Sequence, residues 1–370
     1  MGNAKHLVIG LMSGTSADGV DAALLETDGE GLIRAVAFAG RPYADTERAQ
    51  IRAACTRALA MAAPGPDPLV DAAAAMLTRA HAEAIRALSG GERATLIGFH
   101  GQTVAHRPNS SGAKRPFTWQ IGDAALLANL AGRPVVYDFR GNDVAAGGEG
   151  APLAPGYHRA RLAGFEEAVG VLNIGGVANL TWFENPADEG ARWGGFDTGP
   201  GNALLDDWVM RHRAARFDRD GALAASGRVA EAVLSALLAN PYFQADGPRS
   251  LDRDAFSPQL LSGLSVADGA ATLTAFTAAS VALALRRLPV ALTRLFVTGG
   301  GRLNPVLMAM LGERAGLAVA PVEQLGWNGD ALEAECFGWL AVRHLRGLPL
   351  SWPETTGVPR PMAGGRLALP

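Results

Sequence analysis

The segment Gly10–Asp21 carries residue types that could bind an anion. It lies between two hydrophobic runs, Leu7–Ile9 and Val20–Leu25, a pattern that predicts two strands joined by a tight glycine turn. Glycine lets backbone N–H groups approach a ligand closely, and three hydroxyl side chains add donors: Ser13, Thr15 and Ser16. Such a concave set of donors suits a phosphate. The alternative is an ordinary hairpin turn, which needs no such set of hydroxyls.

The same chemistry recurs twice along the chain. Val171–Trp182 is again a hydrophobic run, a glycine turn and a second hydrophobic run, with Gly175 and Gly176 in the turn. Further on, a strand beginning at Leu295 runs into three glycines and a helix start. The residues of that third cluster are Gly299, Gly300, Gly301 and Asn304, followed by Pro305. Asparagine is a good N-cap and proline suits the first helical position, so a helix is expected to begin there.

Composition limits the classes of protein that fit. A chain of 370 residues with 48% hydrophobic content predicts two packed domains. The net charge of −3, without a basic patch, argues against nucleic-acid binding. The chain has no Gly-Lys-Ser/Thr triplet and no G-x-G-x-x-G, which excludes a Walker-type loop and leaves a dinucleotide fold without a motif. With no signal peptide and no run of about 18 apolar residues, we expect a soluble cytoplasmic protein without membrane contact.

The elements that position these clusters form two similar series. Three strands are expected at the start of each half, and helices follow them. The predicted strands are His6–Met12, Val20–Glu26 and Leu32–Pro42 in the first half, and Ala168–Ile174, Ala178–Phe183 and 194–202 in the second. We therefore expect an ancient duplication, a cleft between the halves, and domains at residues 1–166 and 167–346. A proline-rich surface tail is expected over 347–370.

The segment 140–158 is glycine-rich and has little periodicity. A long loop inside a compact enzyme is more often functional than idle, so we expect it to contribute to a site. An interdomain linker is the alternative, although linkers are usually more polar.

Taken together, the motifs resemble the actin-like ATPase and sugar-kinase superfamily and, more narrowly, the anhydro-N-acetylmuramic acid kinase family. The segments that carry the resemblance are Met12–Gly19, Phe99–Thr103, Asp138–Arg140, Gly147–Pro152, Asn173–Thr181 and Phe196–Asn202. The resemblance implies an α/β fold of two actin-like (ribonuclease H-like) domains with a central cleft. It also implies that ATP and water convert 1,6-anhydro-N-acetylmuramic acid into N-acetylmuramic acid 6-phosphate and ADP, in peptidoglycan recycling. A homodimer is expected, because dimers are common in the family.

The resemblance also implies roles for individual residues. Asp197 is expected to be the general base that activates water, with Asp138, Asp143 or a purely structural turn carboxylate as alternatives. Substrate contacts are expected from Arg140, Asp143 and Glu333. The expected ATP-binding residues are Gly14, Thr15, Ser16, Ala17, Asp18, Gly19, Val20 and Asp21 in the first loop, Gly175 and Gly176 in the second, and Gly299, Gly300, Gly301 and Asn304 around adenosine.

Several of these roles have simpler alternatives. Asp18 would hold Mg²⁺ through water, or would only bond its own turn. Arg140 would bind the lactyl carboxylate of the sugar, or form an interdomain salt bridge. Glu333 could instead belong to a capping box with Asp330, and Asn304 could be only an N-cap.

Two other functions remain open on the sequence. One is an actin-like sugar or acid kinase that phosphorylates a hydroxyl directly. The other is an ATP-gated binding module without a sugar substrate.

Overall fold

The computed structural model describes residues 4–244, 256 and 258–370. It separates into two compact units. The first comprises the residues up to Ala163 together with Ala331–Pro370, and the second comprises Gly164–Asp330. The second unit begins close to the predicted boundary at 167, whereas its end differs from the prediction, because the chain returns to the first unit at Ala331.

The first unit is built on one mixed sheet. Its strands are β1 (His6–Ser13), β2 (Gly19–Thr27), β3 (Ile33–Pro42), β4 (Leu96–Arg107), β5 (Phe117–Ile121), β6 (Val135–Tyr137) and β12 (Arg366–Ala368). Its helices are α1 (Asp45–Leu59), α2 (Pro68–Ala87), α3 (Ala124–Ala131), α4 (Gly141–Ala145), α5 (Pro155–Arg161), α11 (Leu332–Leu345) and α12 (Pro353–Thr356). The strand order is β3-β2-β1-β4-β6-β12, with β5 paired to β4. Strands β1, β4 and β6 are parallel to one another, and β2 and β3 are antiparallel additions.

The second unit has the same plan. Its strands are β7 (Val169–Ile174), β8 (Val177–Phe183), β9 (Trp193–Pro200), β10 (Arg294–Thr298) and β11 (Ala318–Pro321). Its helices are α6 (Ala203–Arg213), α7 (Ala222–Ala225), α8 (Glu231–Leu238), α9 (Val266–Arg286) and α10 (Pro305–Ala315). The order is β9-β8-β7-β10-β11, and β7, β10 and β11 run parallel.

The two sheets share strand order and strand direction. In each unit the first two strands form an antiparallel hairpin, the third adds to its outer edge, and two later strands add in parallel on the other side. Each glycine hairpin predicted from the sequence therefore occupies the same topological position. This repeated plan confirms the α/β fold of two actin-like domains.

Helix α11 joins the first unit because glycines let it lie directly on the sheet. A Cβ at Gly10 would sit 1.7 Å from the carbonyl oxygen of Ala334, and one at Gly98 would sit 2.1 Å from that of Phe337. These distances are shorter than any van der Waals contact, so only glycine allows the helix backbone to approach β1 and β4. The sequence predicted residues 331–346 as part of the C-terminal domain, because these contacts are remote in sequence.

The C-terminal segment is part of the fold and not a surface tail. Strand β12 pairs antiparallel with β6 and extends the first sheet. Thr355 and Thr356 of α12 are buried, and Leu350 N–H donates to the carbonyl of Met362 at 2.7 Å. Prolines in this segment suggested surface coil, but hydrogen bonds within the segment and the pairing of β12 with β6 order it.

The segment 140–158 also contains more regular structure than predicted. Helices α4 and α5 occupy its two ends, and the glycine-rich stretch lies between them. The expected long loop is therefore limited to the residues around Gly147–Pro152.

Within the described part of the chain, one helix is long and apolar enough to cross a membrane by length and composition. It is α9, with a mean hydropathy of 1.4 over its best window, and 78% of that window is buried inside the protein. The helix packs against α10 and β9 of its own unit. Burial of this extent is typical of a core helix.

Three buried histidines of the first unit make stability depend on pH. Burial lowers the pKa of His81 to about 4 and that of His158 to about 3. Burial and the Arg140 charge hold the pKa of His100 well below its usual value of 6.5. The unfolded chain therefore binds more protons than the folded protein between about pH 6.5 and the folded pKa values, and the free energy of unfolding falls as the pH is lowered through that window.

We expect His158→Gln to make this pH dependence shallower. One histidine contributes up to about 1.4 kcal/mol per pH unit where only the unfolded form is protonated. Urea unfolding of both proteins between pH 4 and 6 gives the two slopes. Equal slopes would contradict a neutral His158 in the folded state.

Candidate functional site

In the first unit, the expected site residues gather at the carboxyl edge of the parallel strands. The glycine turn follows β1, His100 lies in β4, and Asp138 and Arg140 follow β6. Parallel neighbouring strands end at the same edge of a sheet, where ligands of open α/β sheets bind. The structure thus brings three sequence-distant motifs of this unit to one edge.

The turn between β1 and β2 presents an exposed polar surface. Thr15, Ser16 and Asp18 are exposed, and Ala17 has a left-handed backbone with φ 51. Such strain in a non-glycine residue costs about 1–3 kcal/mol and is found at ligand sites. A Cβ at Gly14 would meet only Ser16 Oγ, at 3.6 Å, so packing within the protein does not require glycine there. The open space fits the close approach of a phosphate.

Buried hydrogen bonds support this turn. They involve the Ser13 hydroxyl, which is therefore not a candidate phosphate donor. Ser13 Oγ donates to Gln102 Oε1 at 2.7 Å and lies 3.0 Å from the hydroxyl of Tyr43. Tyr43 N–H also donates to the carbonyl of Asp18 at 2.9 Å. Ser13 and Tyr43 are both buried, and burial raises the pKa of the Tyr43 hydroxyl. The expectation that the Ser13 hydroxyl faces a phosphate was wrong, since its contacts lie inside the sheet.

The exposed hydroxyls of the turn are expected to matter for catalysis. The double substitution Thr15→Ala, Ser16→Ala should lower kcat and raise the KM for ATP by about tenfold, because donors to a transferring phosphoryl group strengthen as its charge develops. Steady-state ADP release measures both constants. Unchanged constants would reduce the turn to a structural hairpin.

Hydrogen bonds within its own unit orient the Arg140 side chain. Its Nε donates to His100 Nε2 at 3.0 Å, and its Nη1 donates to the carbonyl of Gly150 at 2.8 Å. His100 Nδ1 lies 2.9 Å from the carbonyl of Gly101, so a neutral imidazole protonated at Nδ1 satisfies both sides. The lowered pKa of His100 keeps that form. His100 is therefore a positioning residue for the Arg140 guanidinium.

Asp138 and Asp143 are the other candidates for general base. Both carboxylates bind other groups of the first unit. Asp138 Oδ1 accepts from Gly141 N–H at 3.1 Å, and its Oδ2 lies 3.0 Å from Arg366 Nε. Asp143 is 2% exposed, and its two oxygens accept from Gly150 N–H and Thr356 Oγ1, both at 2.6 Å. These contacts favour structural roles for both carboxylates.

Glu333 is exposed at the start of α11. The alternative of a capping box was wrong, because the N-cap is Ala331 and has no capping side chain. The acidic residue that sequence reasoning missed is Glu335, which is buried and accepts from Arg161 Nη1 at 2.7 Å and from the hydroxyl of Tyr157. Its partners lie about 175 positions away, so nothing local signals the pair.

In the second unit, the Gly175–Gly176 turn is held by the chain that follows β9. Gly201 N–H donates to the Gly176 carbonyl at 3.0 Å, and Asn202 N–H donates to the Gly175 carbonyl at 2.7 Å. A Cβ at Gly175 would meet only a carbonyl at 3.8 Å. Space for a ligand is therefore open here too, as at Gly14.

Asp197 lies in β9 opposite Asn179 of β8 and is 8% exposed. Its carbonyl accepts from the Tyr242 hydroxyl at 2.5 Å. Strand β9 is followed by Gly201 and Asn202, whose N–H groups bond to the carbonyls of the glycine turn. The backbone of this carboxylate is thus fixed relative to the Gly175–Gly176 turn, as positioning for chemistry requires.

The triple-glycine turn adjoins the same hairpin. Gly299 has φ 75, and a Cβ there would lie 2.3 Å from Asn173 Oδ1, so packing requires glycine. A Cβ at Gly300 would meet nothing closer than Asn202 Nδ2 at 3.7 Å. Gly300 is therefore the position at which a ligand could approach the backbone.

Two side chains stabilise this turn. Asn304 Oδ1 accepts from Val306 and Leu307 N–H, both at 3.1 Å, so it is the N-cap of α10. The buried Arg302 side chain pairs with Glu323 at 2.8 Å and Asp330 at 2.9 Å. Sequence reasoning did not single out Arg302, although it directly follows the glycines.

A metal would have few direct protein ligands here. Among residues 4–244, 256 and 258–370, no group of three histidine, cysteine or acidic side chains could hold a metal ion. Mg²⁺ in phosphoryl-transfer sites is commonly bound through one or two carboxylates, waters and the phosphates themselves. The exposed Asp18 carboxylate fits that mode.

The chain is similar to a family of known proteins over nearly its whole length. The family model described as anhydro-N-acetylmuramic acid kinase matches residues 6–368. Relatives of that name include one from Rhizorhabdus wittichii, 54% identical over 98% of this chain and 98% of its own length. Another, from Acidiphilium cryptum, is 53% identical with 98% of each chain covered, and one from Paramagnetospirillum magneticum is 50% identical over 98% of this chain and 100% of its own.

Proposed function

The chain belongs to the anhydro-N-acetylmuramic acid kinase family, and on that premise we propose how its residues divide the reaction. The protein is a kinase that uses ATP to phosphorylate an alcohol oxygen of this amino sugar. The proposal concerns the hydrolytic opening of the anhydro bridge, the side chains that perform each step, and a place in peptidoglycan recycling.

Two bonds of the sugar change in the proposed reaction. Water attacks C1 and displaces the bridging oxygen, and that oxygen, O6, takes the γ-phosphoryl group of ATP. Asp197 accepts the proton of the attacking water. Its backbone is fixed beside the glycine turn of its unit, and the family resemblance assigns the catalytic carboxylate to this motif.

The binding roles follow from exposure and open space. The turn Gly14–Asp18 and the turn at Gly175–Gly176 would hold phosphates through N–H groups and the exposed hydroxyls of the first turn. Gly300 would let adenosine lie against the backbone. Arg140, with its orientation set by His100, would bind the lactyl carboxylate in bidentate fashion, and Glu333 would line the sugar site.

Mg²⁺, held by Asp18 through water, would neutralise charge on the phosphates. A homodimer and a cytoplasmic location complete the proposal. Both rest on the family resemblance described above.

The observation that carries the proposal is that open glycine turns occur at the same topological position in both units of a chain from this kinase family. ADP release is the test. We expect release that depends on 1,6-anhydro-N-acetylmuramic acid and not on N-acetylmuramic acid or N-acetylglucosamine. Release with ordinary hexosamines alone would favour a direct hydroxyl kinase, and sugar-independent release would favour an ATP-gated module.

A further inference from the structure

The C-terminal segment contacts the glycine-rich loop Gly147–Gly150 of the first unit. Three consecutive backbone N–H groups of this loop bond to only two residues. Gly148 N–H donates to the carbonyl of Asp143 at 2.9 Å, and Gly150 N–H donates to Asp143 Oδ1 at 2.6 Å. Glu149 N–H donates to the carbonyl of Thr356 at 2.7 Å. The loop conformation is therefore set by Asp143 and Thr356 together.

Thr356 also fixes the Asp143 carboxylate. Its Oγ1 lies 2.6 Å from Asp143 Oδ2 and 3.4 Å from the carbonyl of Trp352. A hydroxyl has one proton, and the shorter contact to a charged acceptor is the stronger hydrogen bond. Thr356 is 0% exposed and Asp143 is 2% exposed, so water does not replace this donor.

Side-chain packing adds to these hydrogen bonds. A Cβ at Gly148 would lie 2.3 Å from Asp143 Oδ1 and 2.5 Å from Val358 Cγ1. The loop therefore lies directly against the carboxylate and the C-terminal segment, without room for a side chain. The segment is fixed on its other side by β12, which pairs with β6.

The Gly147–Gly150 loop also contacts Arg140. The Gly150 carbonyl accepts from Arg140 Nη1 at 2.8 Å, and Gly150 has a left-handed backbone with φ 70. A change at Gly150 would move an acceptor that orients the guanidinium. A continuous chain of hydrogen bonds thus runs from Thr356 through Asp143 and Gly150 to Arg140.

We propose that Thr356 is a positioning residue for sugar binding, which acts through Asp143 and the Gly148–Gly150 backbone on Arg140. The kinetic part of this proposal rests on the proposed role of Arg140. The structural part, that Thr356 holds the loop, does not depend on it.

The chain offers a matched control in the adjacent residue. Thr355 is also buried, at 1% exposure, but its hydroxyl bonds within its own turn: it donates to the carbonyl of Trp352 at 3.1 Å and accepts from the Trp352 N–H at 3.3 Å. Thr356→Val and Thr355→Val remove the same atom from neighbouring buried positions. Thr356→Ser keeps the hydroxyl and serves as the conservative variant.

Hydrogen exchange tests the structural part. Thr356→Val should speed exchange of the amides at 148–150 by about tenfold or more, whereas Thr355→Val and Thr356→Ser should leave them near the wild-type rate. Unchanged exchange in Thr356→Val would overturn the proposal, whatever the activity. If Thr356→Val does not fold, hydrogen exchange of the wild-type protein is the test. Its amides at 148–150 should exchange as slowly as those at 355–357. Rapid exchange at 148–150 alone would overturn the proposal.

Steady-state kinetics test the functional part. Thr356→Val should raise the KM for the anhydro sugar by about tenfold with the KM for ATP unchanged, and Thr356→Ser should restore it. Equal sugar KM values in Thr356→Val and Thr355→Val would reduce Thr356 to a structural residue. Absence of sugar-dependent ADP release in the wild type would instead contradict the proposed function and leave the exchange result standing.

Discussion

Replacing Asp197 with asparagine is expected to lower kcat by about 10²–10⁴-fold, the usual contribution of a positioned general base. The amide keeps the shape of the side chain but cannot accept the proton of the attacking water. The substitution keeps the backbone carbonyl that accepts from the Tyr242 hydroxyl, and the amide is nearly the same size as the carboxylate, so we expect the fold to persist. Calorimetry should therefore still detect binding of ATP and of the sugar.

Asp218 provides a matched control in the same unit. It is 8% exposed, like Asp197, and its two oxygens accept from Leu223 N–H at 2.8 Å and Ala224 N–H at 2.9 Å. Asp218→Asn should lower the melting temperature while kcat per folded molecule stays close to the wild-type value. An active Asp197→Asn protein would mean that Asp197 is not the base, and Asp138 and Asp143 would remain as the candidates.

Replacing Arg140 with lysine is expected to raise the KM for the anhydro sugar by about 10- to 100-fold. Lysine keeps the charge but loses the planar pair of donors that matches a carboxylate, and hydrogen bonds to charged groups contribute about 1.5–3 kcal/mol. It also loses the contact with His100 that fixes the orientation. The KM for ATP should stay within about twofold, because the contact proposed for Arg140 is with the sugar.

Two comparisons isolate the carboxylate from general damage. Arg133 is another arginine of the first unit with main-chain contacts, including Ala94 O at 2.7 Å, so Arg133→Lys controls for loss of a structural guanidinium. The analogue 1,6-anhydro-N-acetylglucosamine lacks the lactyl group, and Arg140→Lys should impair its turnover much less. An equal loss with both sugars would contradict a lactyl-binding role.

The sequence predicted the features whose signal is local. Each glycine turn is flanked by its own two hydrophobic runs, so the hairpins at Gly14 and Gly175 followed from adjacent residues. Asn304 before Pro305 likewise predicted the start of α10, and the structure confirms its role as N-cap.

The features that were missed depend on partners far away in the chain. Ser13 looked like a phosphate donor until β4 placed Gln102 beside it, 89 positions later. The Tyr157–Glu335 contact spans 178 positions, and the Thr356–Asp143 contact spans 213. Residues after 346 carried no motif because their role is to pair with β6 and to support a loop elsewhere.

The position of α11 was missed for the same reason. Gly10 and Gly98 are small because a helix backbone lies against them, and a single sequence does not reveal which helix that is. The sequence predicted the residues of α11 as part of the second domain, and only the packing assigns them to the first unit.

The proposed reaction is tested most directly by running it in ¹⁸O-labelled water. If water opens the anhydro bridge, the label should appear in the C1 hydroxyl of the sugar phosphate. The product must be sampled early, because the free hemiacetal exchanges slowly with solvent. Label in inorganic phosphate, with none at C1 at early times, would contradict the account.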